Sequence, residues 1–189
     1  MIVETQKPGC FEDYKAILNA IYQLAGGQTA VDLGCGEAHV TKHWNCVYVD
    51  SVIRPTSPGK TIQMDMRDAP SHLQIFRYDL MVMSDSLEHL TKFDGLRLLE
   101  GMDQICRARF VFTPLGPYHM DPTATHPDAH KSAWFPKEFE DMSWEVLSYP
   151  RYHIFSGGEV LGAFFAWDFH DSINPTADQV LKLAGVTLQ

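Results

Sequence analysis

The chain carries two hydrophobic periods in succession. Tyr14, Ile17, Leu18, Ile21, Tyr22 and Ala25 recur at i, i+3, i+4 and i+7, and Gly26 and Gly27 stop the run, which predicts an amphipathic helix over 11–25 that packs on a sheet. Short apolar segments follow at Ala30–Leu33, Cys46–Val49, Ile62–Met64, Leu80–Met83 and Phe110–Phe112, several closed by Asp or Ser and then by turn residues. This rhythm predicts βαβ units and a parallel sheet. Thr91 with Asp94 forms a capping box, and Leu96, Leu99, Met102 and Ile105 predict the buried stripe of an intervening helix. The segment "SVIRPTSPGK" between Asp50 and Thr61 holds two prolines and is too short for a comfortable crossover helix, so a loop is expected there.

Towards the C-terminus the pattern changes. "WEVLSYPRYHIF" and "VLGAFFAWDF" are aromatic-rich strand candidates separated by "SGGE", which predicts an antiparallel hairpin whose last strand lies within Val160–Phe169. In "NPTADQVLKLAG", Asn174 as cap, Pro175 at the first helical position and Gly185 at the end predict a final short helix. With no repeat, low-complexity tract or linker, residues 1–189 are expected to form one α/β domain.

Composition narrows the partners. The formal net charge is −9, and the 15 Lys and Arg residues are scattered, so a nucleic-acid partner is not expected. The N-terminus has neither a basic n-region nor an apolar h-region, and no apolar run reaches the roughly 20 residues of a spanning helix. Cys10, Cys35, Cys46 and Cys106 form no CxxC pair, which suits reduced thiols. A soluble, cytoplasmic protein without membrane contact is the expectation.

The stretch "TAVDLGCGEAHV" (Thr29–Val40) carries the clearest chemistry. Gly34 and Gly36 let a ligand approach the backbone, and a helix expected after them would offer free N–H groups and a positive dipole end. The dinucleotide fingerprint G-x-G-x-x-G has His39 where its third glycine should stand. That substitution, with the absence of a Tyr-x-x-x-Lys pair, disfavours an NAD-dependent oxidoreductase. Asp32, Asp50, Asp65 and Ser84 each fall at or just past the end of a predicted strand. In a parallel sheet these ends share one edge, where ligands bind, and an acid after the second strand can accept both hydroxyls of a ribose.

In that order "VDLGCGEA", "YVD", "MDMRDAP" and "YDLMVMSDSLEHL" resemble the successive motifs of class I S-adenosylmethionine-dependent methyltransferases, over about residues 28–170. The segment Pro114–Tyr118 ("PLGPY"), His130 with Trp134, and Pro136 with Phe139 further resemble a bacterial subgroup linked to polysaccharide or small-molecule methylation. The resemblance implies a Rossmann-like three-layer sandwich with a mostly parallel seven-stranded sheet, a cofactor-binding half at 28–90 and an acceptor-side half at 91–189. It also implies S-adenosyl-L-methionine as cofactor: Gly34 and Gly36 beside its methionine part, Asp32 supporting that loop and the amino group, Asp50 on the ribose, Asp65 and Met66 at the adenine, and Ser84 near the reacting centre. Ala38 stands where the family's loop carries a third glycine. Glu88 and His89, in "LEHL", recur in the family mainly as a strand-to-helix feature.

The acceptor side is less defined. The loop Pro114–Trp134 is long and rich in Pro, His and Asp and follows the fifth predicted strand, so it is expected to cover the acceptor. His119, Asp121, His126, Asp128 and His130 crowd its centre, but no helical i, i+4 pair such as H-E-x-x-H appears, and the expectation is no bound metal. A base is needed only for a hydroxyl or protonated amine. His130 is the first candidate and Asp85 the second. "SDSL" replaces the N/D-P-P-Y/F element of amide- and adenine-methylating relatives, which disfavours adenine in nucleic acid and protein glutamine as acceptors; a sugar, a small metabolite and a protein side chain stay open, and a small-molecule or sugar-type acceptor is the expectation. The alternative is a non-catalytic nucleoside-binding or scaffold member of the same fold.

Overall fold

A computed structural model describes residues 1–73, 77–155, 158–170 and 173–188. In chain order the elements are β1 (Ile2–Glu4), α1 (Phe11–Leu24), β2 (Ala30–Leu33), β3 (Cys46–Asp50), β4 (Thr61–Gln63), α2 (Ala69–His72), β5 (Tyr78–Ser84), α3 (Lys92–Asp103), β6 (Cys106–Pro114), α4 (Pro136–Asp141), β7 (Glu145–Ile154), β8 (Val160–Phe169) and α5 (Ala177–Ala184). The strands form one sheet in the order β1-β7-β8-β6-β5-β2-β3-β4, parallel throughout except that β8 runs antiparallel to both β6 and β7. β2 pairs with β3 on one side and β5 on the other, so the chain reverses its direction of winding there. A crevice opens outside the carboxyl ends of the strands at such a point.

Alternation along the strands builds two cores. Leu80, Val82, Phe110, Phe112, Phe165 and Trp167 face the layer of α1 and α5, while Val31, Met81, Met83, Val111, Phe164 and Ala166 face α2, α3 and α4. The three-layer sandwich expected from the sequence is present. The described sheet has eight strands rather than seven, because the three-residue β1 adds to its edge beside β7. Such a short segment, only half-buried, has no period to read. β7 and β8 pair antiparallel, as the hairpin expectation requires, but with a register shift between Tyr149 and His153 that it did not include; Ser156 and Gly157 of "SGGE" lie outside the described residues.

Three local expectations change. Leu96 is 43% exposed, and α3 buries Leu98, Leu99 and Met102, with Ile105 packed just beyond its end. The cap of α5 is Thr176, in a capping box with Gln179, because Asn174 is drawn away: its Oδ1 accepts from the Phe169 N–H and its Nδ2 donates to the Ser143 carbonyl. After the glycine turn there is no α-helix, only a 3-10 turn at Thr41–His43. Trp44 stacks on Tyr22 of α1 at 3.9 Å and fills the layer in which a crossover helix would have packed. Between β3 and β4 the expected loop is found. The four cysteines are free thiols, and no described helix is long and apolar enough to cross a membrane.

Candidate active site

β2 delivers the chain into a turn that ordinary side chains resist. Gly34 and Gly36 have φ of 69° and 52°, and Ala38, in the third slot, has φ of 49°, a conformation that glycine adopts more cheaply. A Cβ on Gly34 would stand 2.6 Å from the Ser86 Cβ. Asp50, at the end of β3, braces the turn: its Oδ2 accepts from the Gly36 N–H at 2.8 Å and its Oδ1 from the Val52 N–H at 2.8 Å. The helix dipole expected behind this turn is missing, so its anion-binding capacity rests on backbone N–H groups alone.

Two cavities open at the carboxyl edge and meet over the turn. The first, about 390 Å³, is lined by Gly34, Gly36, Asp50, Asp65, Met66, Ser84, Asp85, His89 and, from the long loop, Pro127, Asp128 and Lys131. The second, about 360 Å³, is lined by Phe11, Tyr14, Asp32, Thr41, Phe112, Tyr152 and His153. Cys35, Ser84 and Asp85 border both. Six of the seven residues assigned to the cofactor from sequence, Gly34, Gly36, Asp50, Asp65, Met66 and Ser84, thus line one cleft, and Asp32 belongs to the neighbouring cavity. The walls contributed by α1 and β7 were not foreseen. β7 reaches the cavity because its register shifts between Tyr149 and His153, around Pro150, which cannot donate to the ladder. Tyr152 is pinned there by its hydroxyl, which donates to the Cys10 carbonyl at 3.1 Å.

The carboxylates differ sharply in environment. Asp32 is buried, with Thr41 Oγ1 donating to its Oδ2, and burial, reinforced by repulsion from Asp50, pushes its carboxyl up to about 7. Asp65 is clasped by Arg67, whose Nε and Nη2 donate at 3.0 and 2.6 Å, and this pairing holds it below the usual carboxylate range. Ser84 Oγ shares a 2.7 Å hydrogen bond with Tyr14 Oη. Asp85, with φ of 46°, opens onto both cavities, yet the protein packed around it raises its carboxyl above the ordinary range. Glu88 is raised as well, first by burial and then by Asp85.

The Asp32 environment has a measurable consequence. Because its folded pKa of about 7 exceeds the roughly 3.9 of an unfolded aspartate, the native state holds the proton more tightly, and its contribution to stability is complete below about pH 4 and is lost as pH rises through about 7. Asp32→Asn removes this dependence. The unfolding free energy of the variant relative to wild type is expected to improve steadily between those pH values and then level off; a difference constant with pH would contradict the assignment.

The loop between β6 and α4 is anchored at three places. Leu115 and Trp134 form a bridge at its base, Met120 and His130 a second one, and the Lys131 and Ser132 N–H groups donate to the Glu88 carbonyl at 2.8 and 3.1 Å. Its outer part is strapped across the first cavity by Arg54, which donates to Asp50 Oδ2 at 3.3 Å and to both Asp128 oxygens at 2.9 and 3.1 Å. Trp134 is a core anchor, 1% exposed against Gly95 and Phe139, with Lys92 Nζ 3.7 Å from its ring centroid. His130 does not line the first cavity. Its Nδ1 bonds the Tyr118 carbonyl at 2.9 Å, and its ring lies 5.1 Å from that of His89. Of the crowded loop residues, the structure brings His130 to Glu88 and His89 and leaves Asp121 and His126 exposed.

No protein family and no curated protein matches the chain. Solved structures do. A SAM dependent methyltransferase from Archaeoglobus fulgidus is 16% identical, with a TM-score of 0.53 over 85% of this chain and 95% of that one. The 1,6-didemethyltoxoflavin-N1-methyltransferase of Burkholderia thailandensis, solved with 1,6-didemethyltoxoflavin and S-adenosylhomocysteine bound, is 13% identical, with a TM-score of 0.55 over 84% and 79%. The small RNA methyltransferase HEN1 is 13% identical, with a TM-score of 0.53; 90% of this chain is covered, but only 28% of HEN1. The chain therefore has the mixed α/β, Rossmann-like fold of S-adenosylmethionine-dependent methyltransferases, with an eight-stranded, mostly parallel sheet.

Proposed function

We propose that this protein is an S-adenosylmethionine-dependent methyltransferase acting on a small-molecule or sugar-type acceptor. The observation that carries the reading is the pair of cavities meeting at Ser84 and Asp85 above the Gly34–Gly36 turn. The first cavity is within the size range of cofactor sites, and among its lining residues Asp50, Asp65 and the Met66 side chain form a set suited to a ribose and an adenine. S-adenosylmethionine bound there would supply an electrophilic methyl group. Asp50 holds the ribose hydroxyls, and Gly34 and Gly36 leave room for the methionine part.

The second cavity takes the acceptor. Its aromatic walls, Phe11, Tyr14, Phe112 and Tyr152, suit a planar or ring-shaped molecule and exclude water from the displacement. Transfer to a hydroxyl breaks a sulfur–carbon bond, forms an oxygen–carbon bond and releases one proton, which Asp85 accepts. Of the two candidate bases, Asp85 faces both cavities and carries a raised pKa, whereas His130 has one ring nitrogen committed to the Tyr118 carbonyl and lines neither. The net charge of −9 argues against a nucleic-acid acceptor, and the HEN1 likeness makes RNA the arm of the screen that tests this.

Titration with S-adenosylhomocysteine, followed by a methylation screen across small molecules, sugars and short RNAs, tests the reading. Turnover of RNA alone would replace the acceptor class. Cofactor binding without any turnover would favour a non-catalytic member of the fold. With an ionisable acceptor, the wild-type rate is expected to fall as pH drops through the raised pKa of Asp85, and Asp85→Asn to remove both that fall and most of the rate, by about 10²–10⁴-fold. A pH profile of unchanged shape in Asp85→Asn would exclude it as the base.

A further inference from the structure

We propose that Glu88, His89 and His130 bind a divalent transition-metal ion at the wall of the first cavity. The three residues come from the 3-10 turn after β5 and from the long loop, and one ligand-capable atom of each lies within 4.8 Å of those of the other two. Glu88 is 97% buried by its 3% exposure, and its Oε1 has no hydrogen-bond partner; His89 Nδ1, also buried, has none either. Two orphaned acceptors in one place are expensive unless something cationic completes them.

The remaining atoms of the three side chains are each fixed by the protein. Glu88 Oε2 accepts from Thr113 Oγ1 at 3.0 Å, His89 Nε2 lies 3.0 Å from the Asp85 carbonyl, and His130 Nδ1 lies 2.9 Å from the Tyr118 carbonyl. A carbonyl partner accepts the N–H of one ring nitrogen and leaves the other as a lone pair, the tautomer that a metal requires. One oxygen and two nitrogens thus stand free, each oriented from behind. The Lys131 and Ser132 N–H bonds to the Glu88 carbonyl hold the loop histidine against the turn, so the arrangement does not depend on a mobile lid.

The donor set selects the ion. Two imidazoles and one carboxylate suit manganese, iron, cobalt or zinc better than magnesium or calcium, which prefer oxygen alone. Bonds of about 2.1 Å would draw the three atoms closer than their present spacing, a change within reach of small imidazole rotations. Three protein ligands leave positions open, and His89 lines the cavity, so an oxygen atom of a bound molecule can complete the shell. Metal binding itself is independent of the methyl-transfer reading.

The test uses the whole chain, stripped of metal by a chelator, titrated with Co²⁺ while visible d–d bands and heat are recorded, then with Mn²⁺ and Zn²⁺. One equivalent is expected to bind and to raise the unfolding temperature. Thr113→Val, which removes the bond orienting Glu88, should weaken binding by about 10–100-fold. His130→Ala and Glu88→Gln should weaken it at least as much, and His126→Ala, on the exposed part of the loop, should not. The conservative Thr113→Val and surface-loop His126→Ala keep the test readable if the buried Glu88→Gln fails to fold. No saturable one-to-one binding, or an affinity unchanged in both His130→Ala and Thr113→Val, would overturn the proposal.

Discussion

Asp50→Ala is expected to weaken S-adenosylhomocysteine binding by about 1.5–3 kcal/mol, or roughly 10- to 150-fold, the range for hydrogen bonds to a charged group. Two effects combine in that loss. The ribose hydroxyls lose their acceptor, and the Gly36 N–H loses the oxygen that braces the glycine turn. Asp50→Asn separates them, because its amide oxygen can still accept from Gly36 while the charge is gone. Isothermal titration of both variants, with circular dichroism to verify folding, measures the contributions. An Asp50→Ala variant with wild-type affinity would remove Asp50 from the cofactor site. Arg54 adds a detail to the expected result: it bridges Asp50 to Asp128 across the cavity, so Arg54→Ala should detach the strap while Asp50 Oδ2 keeps its bond from the Gly36 N–H.

Trp134→Ala is expected to cost about 3–5 kcal/mol of folding stability, as for other large aromatic core truncations. The ring is 1% exposed and packs in the space left by Gly95, where an added Cβ would lie 2.7 Å from its Cζ2. It also carries the base of the loop, through the Leu115 bridge and the Gly116 N–H bond to the Trp134 carbonyl. Denaturant unfolding reads the stability, and limited proteolysis should show new cleavage within 114–134. A loss under about 1 kcal/mol, the ordinary effect of a point substitution, would mean that the indole is not the anchor of this loop.

Much of this arrangement could be read directly from the residues. The apolar runs at Ala30–Leu33, Cys46–Val49 and Leu80–Met83 carry strand signals strong enough to survive without context, and the polar residue at each strand end points to one edge of the sheet. The Gly34 turn and Asp50 were legible because positive φ calls for glycine and because Asp50 closes a clear apolar strand run beside it. Other features depend on tertiary packing. The helix expected after the glycine turn is displaced by Trp44 on Tyr22, a contact between segments far apart in sequence. Tyr14 and Tyr152 read as helix and strand aromatics, and only the sheet order brings them to one cavity. Glu88, His89 and His130 carry no metal-ligand spacing, since the turn after β5 and the loop after β6 meet only when the Glu88 carbonyl accepts from Lys131 and Ser132.

The position of β8 constrains how the chain can be made. It lies between β6 and β7, although it follows both, so the inner edge of β6 has no partner until β8 has emerged. A nascent chain stopped after β7 would expose that row of backbone donors and acceptors, bordered by Phe110 and Phe112, as a template for another molecule's strand. β1 waits nearly as long, because its partner β7 emerges only just before β8. Synthesis of the last strand therefore acts as the closing step of assembly, and premature termination ahead of Val160 would yield a sticky sheet rather than a smaller working one.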